Sequence, residues 1–546
     1  MSNENSFSGN IVDVVNQRIF KGTVYVKDGK IYSVIEEPVD SDVYIMPGFI
    51  DAHIHIESSM LIPSEFARVA VTHGTVATVS DPHEIANVLG IDGVKFMIEN
   101  GKKVPFKFYF GAPSCVPATP FETSGAVLGV KETEELLKMN EVKYLAEMMN
   151  FPGVLYSDEQ VMQKLAIAKK YNKVIDGHAP GLTGEDAEKY ARAGITTDHE
   201  CFTIEEALEK IKYGIKIQIR EGSAAKNFDA LIDLLDIHPD MVMLCSDDKH
   251  PDDLVKGHMN LIATRAVAKG KDVMRVLRCL TLNPKKHYSL DVGLLQKGDA
   301  ADFIIVKDLK NFNVLATYID GVLVAENGKP HIESIKEKQP NIFKAEFLAA
   351  NDLQIKPEGD LIRVIEAIDG QLITNCLLEK PKIENNNVVS DTDRDILKMV
   401  VLNRYIKAKP AVGFIKNFGF KKGAIASTVA HDSHNIIAVG ASDEEIVKAI
   451  NLLIESKGGI SLVDGSENSS LPLPVAGLMS TEDSFAVASQ YENINNKVKE
   501  LGTRLHSPYM TLSFMALLVI PDLKLSDLGL FDGKRFSFTE LFVKKS

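Results

Sequence analysis

The spacing of apolar and polar positions changes character along this chain. Up to about Ile45 it runs in short strand-like stretches: Gly9-Asn-Ile-Val-Asp-Val-Val15, Thr23-Val-Tyr-Val-Lys-Asp-Gly-Lys-Ile31 and Val43-Tyr-Ile45. The Asp-Gly pair inside Lys27-Asp-Gly-Lys30 predicts a hairpin between two of them. From Met46 the pattern becomes an alternation of apolar, strand-length runs with longer segments of helical period. Met46-Pro-Gly-Phe-Ile-Asp-Ala-His-Ile-His55 leads to a helix over 63–72. Gly74-Thr-Val-Ala-Thr-Val-Ser-Asp81 leads to one over 94–100. The strand runs beginning at Phe106, Val142, Lys173, Gly194, Gly214 and Met241 precede helices over 132–139, 158–170, 184–192, 204–212, 228–235 and 254–268.

Eight strand–helix units in one series predict parallel strands with crossover helices, closed as a (β/α)8 barrel of the TIM type. The runner-up is an open doubly wound sheet, but that fold calls for a Gly-rich turn after an early strand, and none is present. Beyond the barrel, 291–306 and 314–324 return to strand pattern, again with an Asp-Gly turn. They are expected to complete a β-sandwich begun before the barrel. A polar stretch from Glu326 to Pro340 reads as a linker, and the remainder mixes strands with helices such as 442–456. The expected division is 1–45 and 289–330 for the split β-sandwich, 46–288 for the barrel, and 331–546 for a C-terminal α+β domain.

Composition narrows the function classes. At 546 residues the chain is too long for a single core. A formal net charge of −14 argues against a general nucleic-acid or anionic-membrane binder. Five scattered cysteines without Cys-x-x-Cys spacing point to a reducing compartment. The N-terminus lacks a signal-peptide pattern and no apolar run reaches membrane-span length, so a cytoplasmic protein is expected.

The candidate chemistry sits at the strand ends. Residues i and i+2 of a strand share a face, so His53 and His55 project together, as two imidazoles gripping one ion would. Alone, His-x-His is a weak signal. Taken singly, His178 reads as a polar loop residue, Asp247 as a helix cap and Glu57 as a helix-start acid. A barrel, however, gathers its strand ends into one ring. There the chain places His53 and His55, Asp81 and His83, Glu147, His178, His199 and Glu200, and Asp247 and Asp248. Imidazoles and carboxylates in one site suit Zn, Mn or Fe divalent ions.

This constellation resembles the amidohydrolase superfamily of metal-dependent hydrolases, over roughly Ile11 to Gly328, including Gly298-Asp-Ala-Ala-Asp-Phe-Ile304. Many relatives carry a carboxylated lysine at the end of strand four. Here that strand ends in Glu147, and Lys143 lies too early to take the role. His55-Ile-Glu-Ser-Ser-Met-Leu61, Ser80-Asp-Pro-His-Glu-Ile-Ala-Asn-Val88, Ala146-Glu-Met-Met-Asn-Phe-Pro-Gly153, Ser246-Asp-Asp-Lys-His250, Ala430-His-Asp-Ser-His-Asn435 and Leu471-Pro-Leu-Pro-Val-Ala-Gly477 are similar to the adenine deaminase family of bacteria and archaea. The resemblance implies adenine as substrate and a mono- or binuclear metal site, Mn(II) favoured over Fe(II) or Zn(II). The implied ligands are His53, His55, Glu147, His178, His199 and Asp247. Asp247 would be general base and then acid. Glu200, Glu84 and Glu57 are the candidate proton donors to the ring. Glu57, Asp81, His83, Asp248 and Lys249 would shape the pocket. His431-Asp-Ser-His434 reads as a second metal site, a loop closing the active site, or a plain polar turn. A homodimer is expected. The alternatives are another amidohydrolase acting on a cyclic amide or a different aminated ring, and a non-catalytic scaffold, which should have lost ligands. The zinc signature of cytidine-deaminase-type enzymes is absent.

Overall fold

A computed structural model describes residues 4–543. Strand β1 (Glu4–Asp13) pairs antiparallel with β2 (Arg18–Lys27), which turns through Asp28-Gly29 into β3 (Lys30–Glu36). Both turn residues are left-handed, with φ of 49° and 76°, a conformation that Asp-Gly adopts at low cost in tight hairpins. Strand β4 (Tyr44–Pro47) runs parallel to β1.

The chain then passes into the barrel at Gly48. The sequence reads Met46 to His55 as one run, but the structure divides it. Met46 and Pro47 belong to β4, and β5 starts at Phe49 (Phe49–His55). A Cβ on Gly48 would stand 2.3 Å from the Val76 side chain, so a glycine is needed where the chain changes sheets. The barrel strands continue as β6 (Thr75–Ser80), β7 (Lys107–Ala112), β8 (Val142–Met148), β9 (Val174–Gly177), β10 (Thr197–Asp198), β11 (Lys216–Arg220), β12 (Val242–Cys245) and β13 (Asp247–Asp248). All are parallel. One sheet runs β13-β5-β6-β7-β8-β9 and the other β10-β11-β12. The sheets meet at both borders. Thr196 N–H donates to Ile175 O at 2.9 Å. At the other border β12 and β13 are one run broken at Ser246, paired first with β11 and then with β5. The eight strand segments therefore form a ring, an α/β fold of the TIM type.

Several helices differ from the sequence reading. An additional helix, His83–Leu89, precedes Ile91–Gly101. Its first six residues are all buried, so it shows no amphipathic period to betray it. The helix expected over 228–235 is two short ones, Phe228–Leu231 and Leu234–Ile237. That over 254–268 is Pro251–Leu254 and Met259–Ala268, with Gly257 in the break.

After the barrel, β14 (Phe303–Val306), β15 (Val314–Ile319), β16 (Val322–Glu326) and β17 (Lys329–Pro330) extend the first sheet, β14 pairing with β4. The order is β17-β16-β15-β14-β4-β1-β2-β3, one eight-stranded sheet from two pieces separated in sequence by the barrel. The stretch read as a linker from Glu326 thus begins inside this sheet, with Glu326 ending β16 and pairing with Lys329 of β17.

The C-terminal part holds a nine-stranded sheet. The helix Asp443–Ser456, capped by the Ser442 side chain, packs Ile446, Ile450 and Leu453 on Val400, Ala426 and Ala438. The C-terminal part is bound tightly to the barrel. One apolar core includes Ile54 and Leu61 together with Val475 and Met479. Ser480 N–H donates to Met60 O at 2.8 Å, and Arg68 meets Asp483 at 2.7 Å. Among the described residues no helix is long and apolar enough to cross a membrane.

Candidate metal centre

The C-terminal ends of the parallel strands converge on one buried pocket. His55, Glu147, His178, His199, Glu200, Asp247 and Asp248 line it, with His83, Glu84 and Arg220. His53 lies just beneath, fully buried. Every imidazole and carboxylate that the sequence singles out at a strand end is within or against this cluster.

The donor spacings fit an ion. His53 Nε2 and His55 Nε2 are 3.3 Å apart, and Asp247 Oδ1 stands 3.7 Å from the first and 3.3 Å from the second. Donors about 2.0–2.2 Å from a four-coordinate ion lie roughly 3.3–3.6 Å from one another. Glu147 reaches both sides. Its Oε1 is 3.3 Å from His55, while its Oε2 is 2.7 Å from His178 Nδ1 and 3.2 Å from His199 Nε2. This carboxylate can span two ions, as a carboxylated lysine does elsewhere. A further grouping shares His55 and Glu147 and adds Asp81 and His83.

Electrostatics separates the imidazoles. Burial, with His199 and His55 nearby, holds His53 well below the usual range, so its lone pair is available. At His55 burial opposes the charge, but hydrogen bonds to Asp247 and Glu147 outweigh it and raise the group well above that range. His199 is pushed up to about 9, burial being overcome by Glu147. Asp247 is held well below the usual carboxylate range, the burial penalty being overcome by Arg220, His55 and His199.

The backbone explains the placement of Asp247. Asp51 accepts hydrogen bonds from Ser246 N (3.0 Å) and Ser246 Oγ (2.5 Å), and its Oδ2 also meets His258 Nε2 at 2.9 Å. Pinned there, the chain turns left-handed at Asp247, φ 57°, a conformation Asp tolerates better than most residues. Arg220 then bonds Asp247 Oδ2 at 2.7 Å and grips both oxygens of Glu200.

The remaining candidates divide. Asp248 lines the pocket and accepts a hydrogen bond from Ser58 Oγ. Burial and the Asp247 charge raise its carboxyl. Lys249 is buried, and burial lowers its ammonium. Asp81 lies beside the pocket, its Oδ2 3.2 Å from His83 Nδ1. Glu57 is not among the lining residues. Its Oε1 accepts Ile85 N–H at 3.2 Å, and burial pushes its carboxyl up to about 7. Glu84 lines the pocket, and its two oxygens bond His431 Nδ1 and His434 Nε2. The His431–His434 stretch is therefore part of this pocket, together with Leu372, Phe514 and Leu517. Sequence reading passed over Arg220 and Asp51, and it took Asp432 only as part of the His431–His434 run. Arg220 and Asp51 carried a usable signal: one ends the seventh strand, and the other precedes His53 and His55 at the same two-residue step.

Comparison with known proteins identifies the family. The Amidohydrolase family matches residues 44–324, and the Adenine deaminase C-terminal domain matches 371–537. The adenine deaminase of Methanosarcina mazei is 55% identical over 550 residues, covering 98% of this chain and 99% of that protein. The adenine deaminase of Sulfurovum sp. is 55% identical over 97% of this chain and 98% of its own. That of Borreliella burgdorferi is 49% identical over 97% and 98%. The chain belongs to the amidohydrolase family and, within it, to the adenine deaminases.

Proposed function

We propose that the protein is an adenine aminohydrolase, converting adenine and water to hypoxanthine and ammonia. The observation that carries this reading is 55% identity to an adenine deaminase along 98% of the chain. The donor cluster fits the chemistry. The C6–amino bond of the purine breaks only after water adds to C6. A bound divalent cation supplies a water acidic enough to attack near neutral pH. His53, His55 and Asp247 would hold one ion, His178 and His199 a second, with Glu147 between them. We assign Mn(II) from the family likeness; the nitrogen and oxygen donor set accepts Fe(II) and Zn(II) as well.

The chain's own residues handle the protons. Asp247, fixed by Arg220, takes the proton of the attacking water and returns it to the leaving ammonia. Ring N1 gains basicity as C6 becomes tetrahedral. Glu84 faces the pocket, paired with His431, which despite burial is pushed up to about 9 by the Glu84 and Asp248 charges. The pair holds one proton as a unit; it passes this proton to N1 and regains one from the C6 hydroxyl as the C6 carbonyl forms and ammonia leaves. Glu200, gripped at both oxygens by Arg220, holds that guanidinium in place behind Asp247 rather than donating. Glu57 braces the start of the helix that carries Glu84. The buried free thiols of Cys115, Cys201, Cys245 and Cys279 support a reducing, cytoplasmic setting.

The test is ammonia release from a panel of purines, pyrimidines and cyclic imides, using protein loaded with Mn(II) and analysed for bound metal. Stoichiometric hypoxanthine from adenine is expected. Turnover of a cyclic imide without adenine would overturn the reading.

A further inference from the structure

One buried carboxylate in the pocket has no task in the scheme above. Asp432 is 3% exposed and comes from the C-terminal part of the chain. It lines the same pocket as the metal ligands. Its Oδ2 makes no hydrogen bond among the described residues, and its Oδ1 lies 3.7 Å from His83 Nε2. A buried carboxylate oxygen without a donor is costly, so it marks a place where a donor is expected to arrive.

The turn that carries Asp432 is held from several directions. His431 and His434 each bond one oxygen of Glu84. Tyr405 Oη donates to Ser433 O at 2.6 Å, and Asn435 Nδ2 donates to Thr123 O at 2.9 Å. Asp432 is thus placed by the turn around it, and its Oδ1 faces His83 while its Oδ2 is left without a donor.

Its position relative to the metal ligands is defined by His83. The Nδ1 edge of that ring faces Asp81 (3.2 Å) and Glu147 (3.5 Å). The Nε2 edge faces Glu84 (3.4 Å) and Asp432. Asp432 therefore lies an imidazole's width beyond the cluster. A purine lying with C6 at the cluster and its five-membered ring toward that side would bring its ring N–H to Asp432. Phe514, stacked on His431 at 5.1 Å, gives the pocket a flat aromatic wall.

We propose that Asp432 accepts the ring N–H of free adenine, and so selects the free base over purines substituted at N9. This rests on the adenine reading. A free base carries one N–H on its five-membered ring, and N9 substitution removes it. A site built to pair with such a group discriminates strongly against a ligand that lacks it.

The experiment compares wild type, Asp432→Ala and Asp432→Asn, each loaded with Mn(II) to the same metal content. Wild-type conversion of adenine to hypoxanthine tests the underlying reading separately; without it, that reading fails before the variants are considered. The readouts are kcat and KM for adenine and the inhibition constant of 9-methyladenine. In Asp432→Ala, KM for adenine should rise about 30-fold or more while kcat changes less than about threefold. The preference for adenine over 9-methyladenine should fall at least about tenfold. Asp432→Asn keeps the shape and an acceptor oxygen, and should fall between. An unchanged KM and preference in Asp432→Ala would overturn the proposal. So would equal weakening of both ligands, which a merely structural role produces. If Asp432→Ala does not fold, unchanged KM and preference in Asp432→Asn overturn it.

Discussion

Arg220 places one guanidinium between two carboxylates, at 2.7 Å from Asp247 and bidentate on Glu200. Replacing it with Met leaves Asp247 free to rotate away from His53 and His55. The expected result is a fall of about 10–100-fold in kcat/KM, measured on protein whose metal content matches wild type. The histidines make a second prediction. In the metal-free protein His55, His178 and His199 are raised, so a metal must displace protons to bind. Metal affinity should therefore strengthen as pH rises from 6 toward about 9, the value to which His199 is pushed. Titration calorimetry in buffers of different ionisation heat should show net proton release. These residues were legible because lone-pair donors stand out at strand ends. Arg220 ends a strand too, but it has no lone pair to give and a search for ligands passes over it. Asp432 was legible only as part of the His431-Asp-Ser-His434 run, since nothing local to it says that its own carboxylate faces the pocket.

At the level of elements, two buried lysines hold the loops that shape the site. Lys210 Nζ bonds Asp198 Oδ2 (2.7 Å), Glu206 Oε1 (2.7 Å) and Ala179 O (2.6 Å). Asp198 in turn accepts Glu200 N–H at 2.8 Å. Lys210→Met would strand the Asp198 carboxylate and should destabilise the protein by about 3–5 kcal/mol, visible as a lowered melting temperature. Lys524 Nζ bonds the carbonyls of Leu372 (2.6 Å) and Phe514 (2.9 Å), both in residues that line the pocket. Burial pushes this ammonium down from 10.5 to about 7. Between those values the unfolded chain binds a proton that the folded chain does not, so stability rises with pH. The melting temperature of wild type relative to Lys524→Met should therefore climb from pH 7 to pH 9.5. Lys524→Met should also raise KM for adenine by about tenfold, because two backbone anchors lose their donor. The helices with one apolar stripe were readable from the sequence, as 184–192 and 204–212 show. His83–Leu89 was not, because a helix buried on every side has no stripe.

At the scale of the molecule, the pocket is shared. The barrel contributes the donors, while Leu372, His431, Asp432, Phe514 and Leu517 cover them. The same apolar core runs through both parts, and His250 Nδ1 meets Tyr491 Oη at 2.5 Å across the join. A chain ending at residue 331 should accordingly be insoluble or inactive, and co-expression of 332–546 should restore adenine turnover. Equal activity of the shortened chain would show that the covering residues are dispensable.

The sequence by itself determined the parallel barrel, since alternating strand and helix periods leave few other closures, and it singled out the imidazoles and carboxylates that converge in one pocket, since strand ends must meet in a ring. It also carried the family likeness in short runs such as Ser80-Asp-Pro-His-Glu84. Only the tertiary structure decided that Glu84 is shared with His431 and His434, that Asp247 is set by Asp51 and Arg220, and that Asp432 faces the same pocket. The physical reason is range. Period and strand-end position are local properties written in neighbouring residues, whereas those pairings join residues that come together only when the C-terminal sheet packs over the mouth of the barrel.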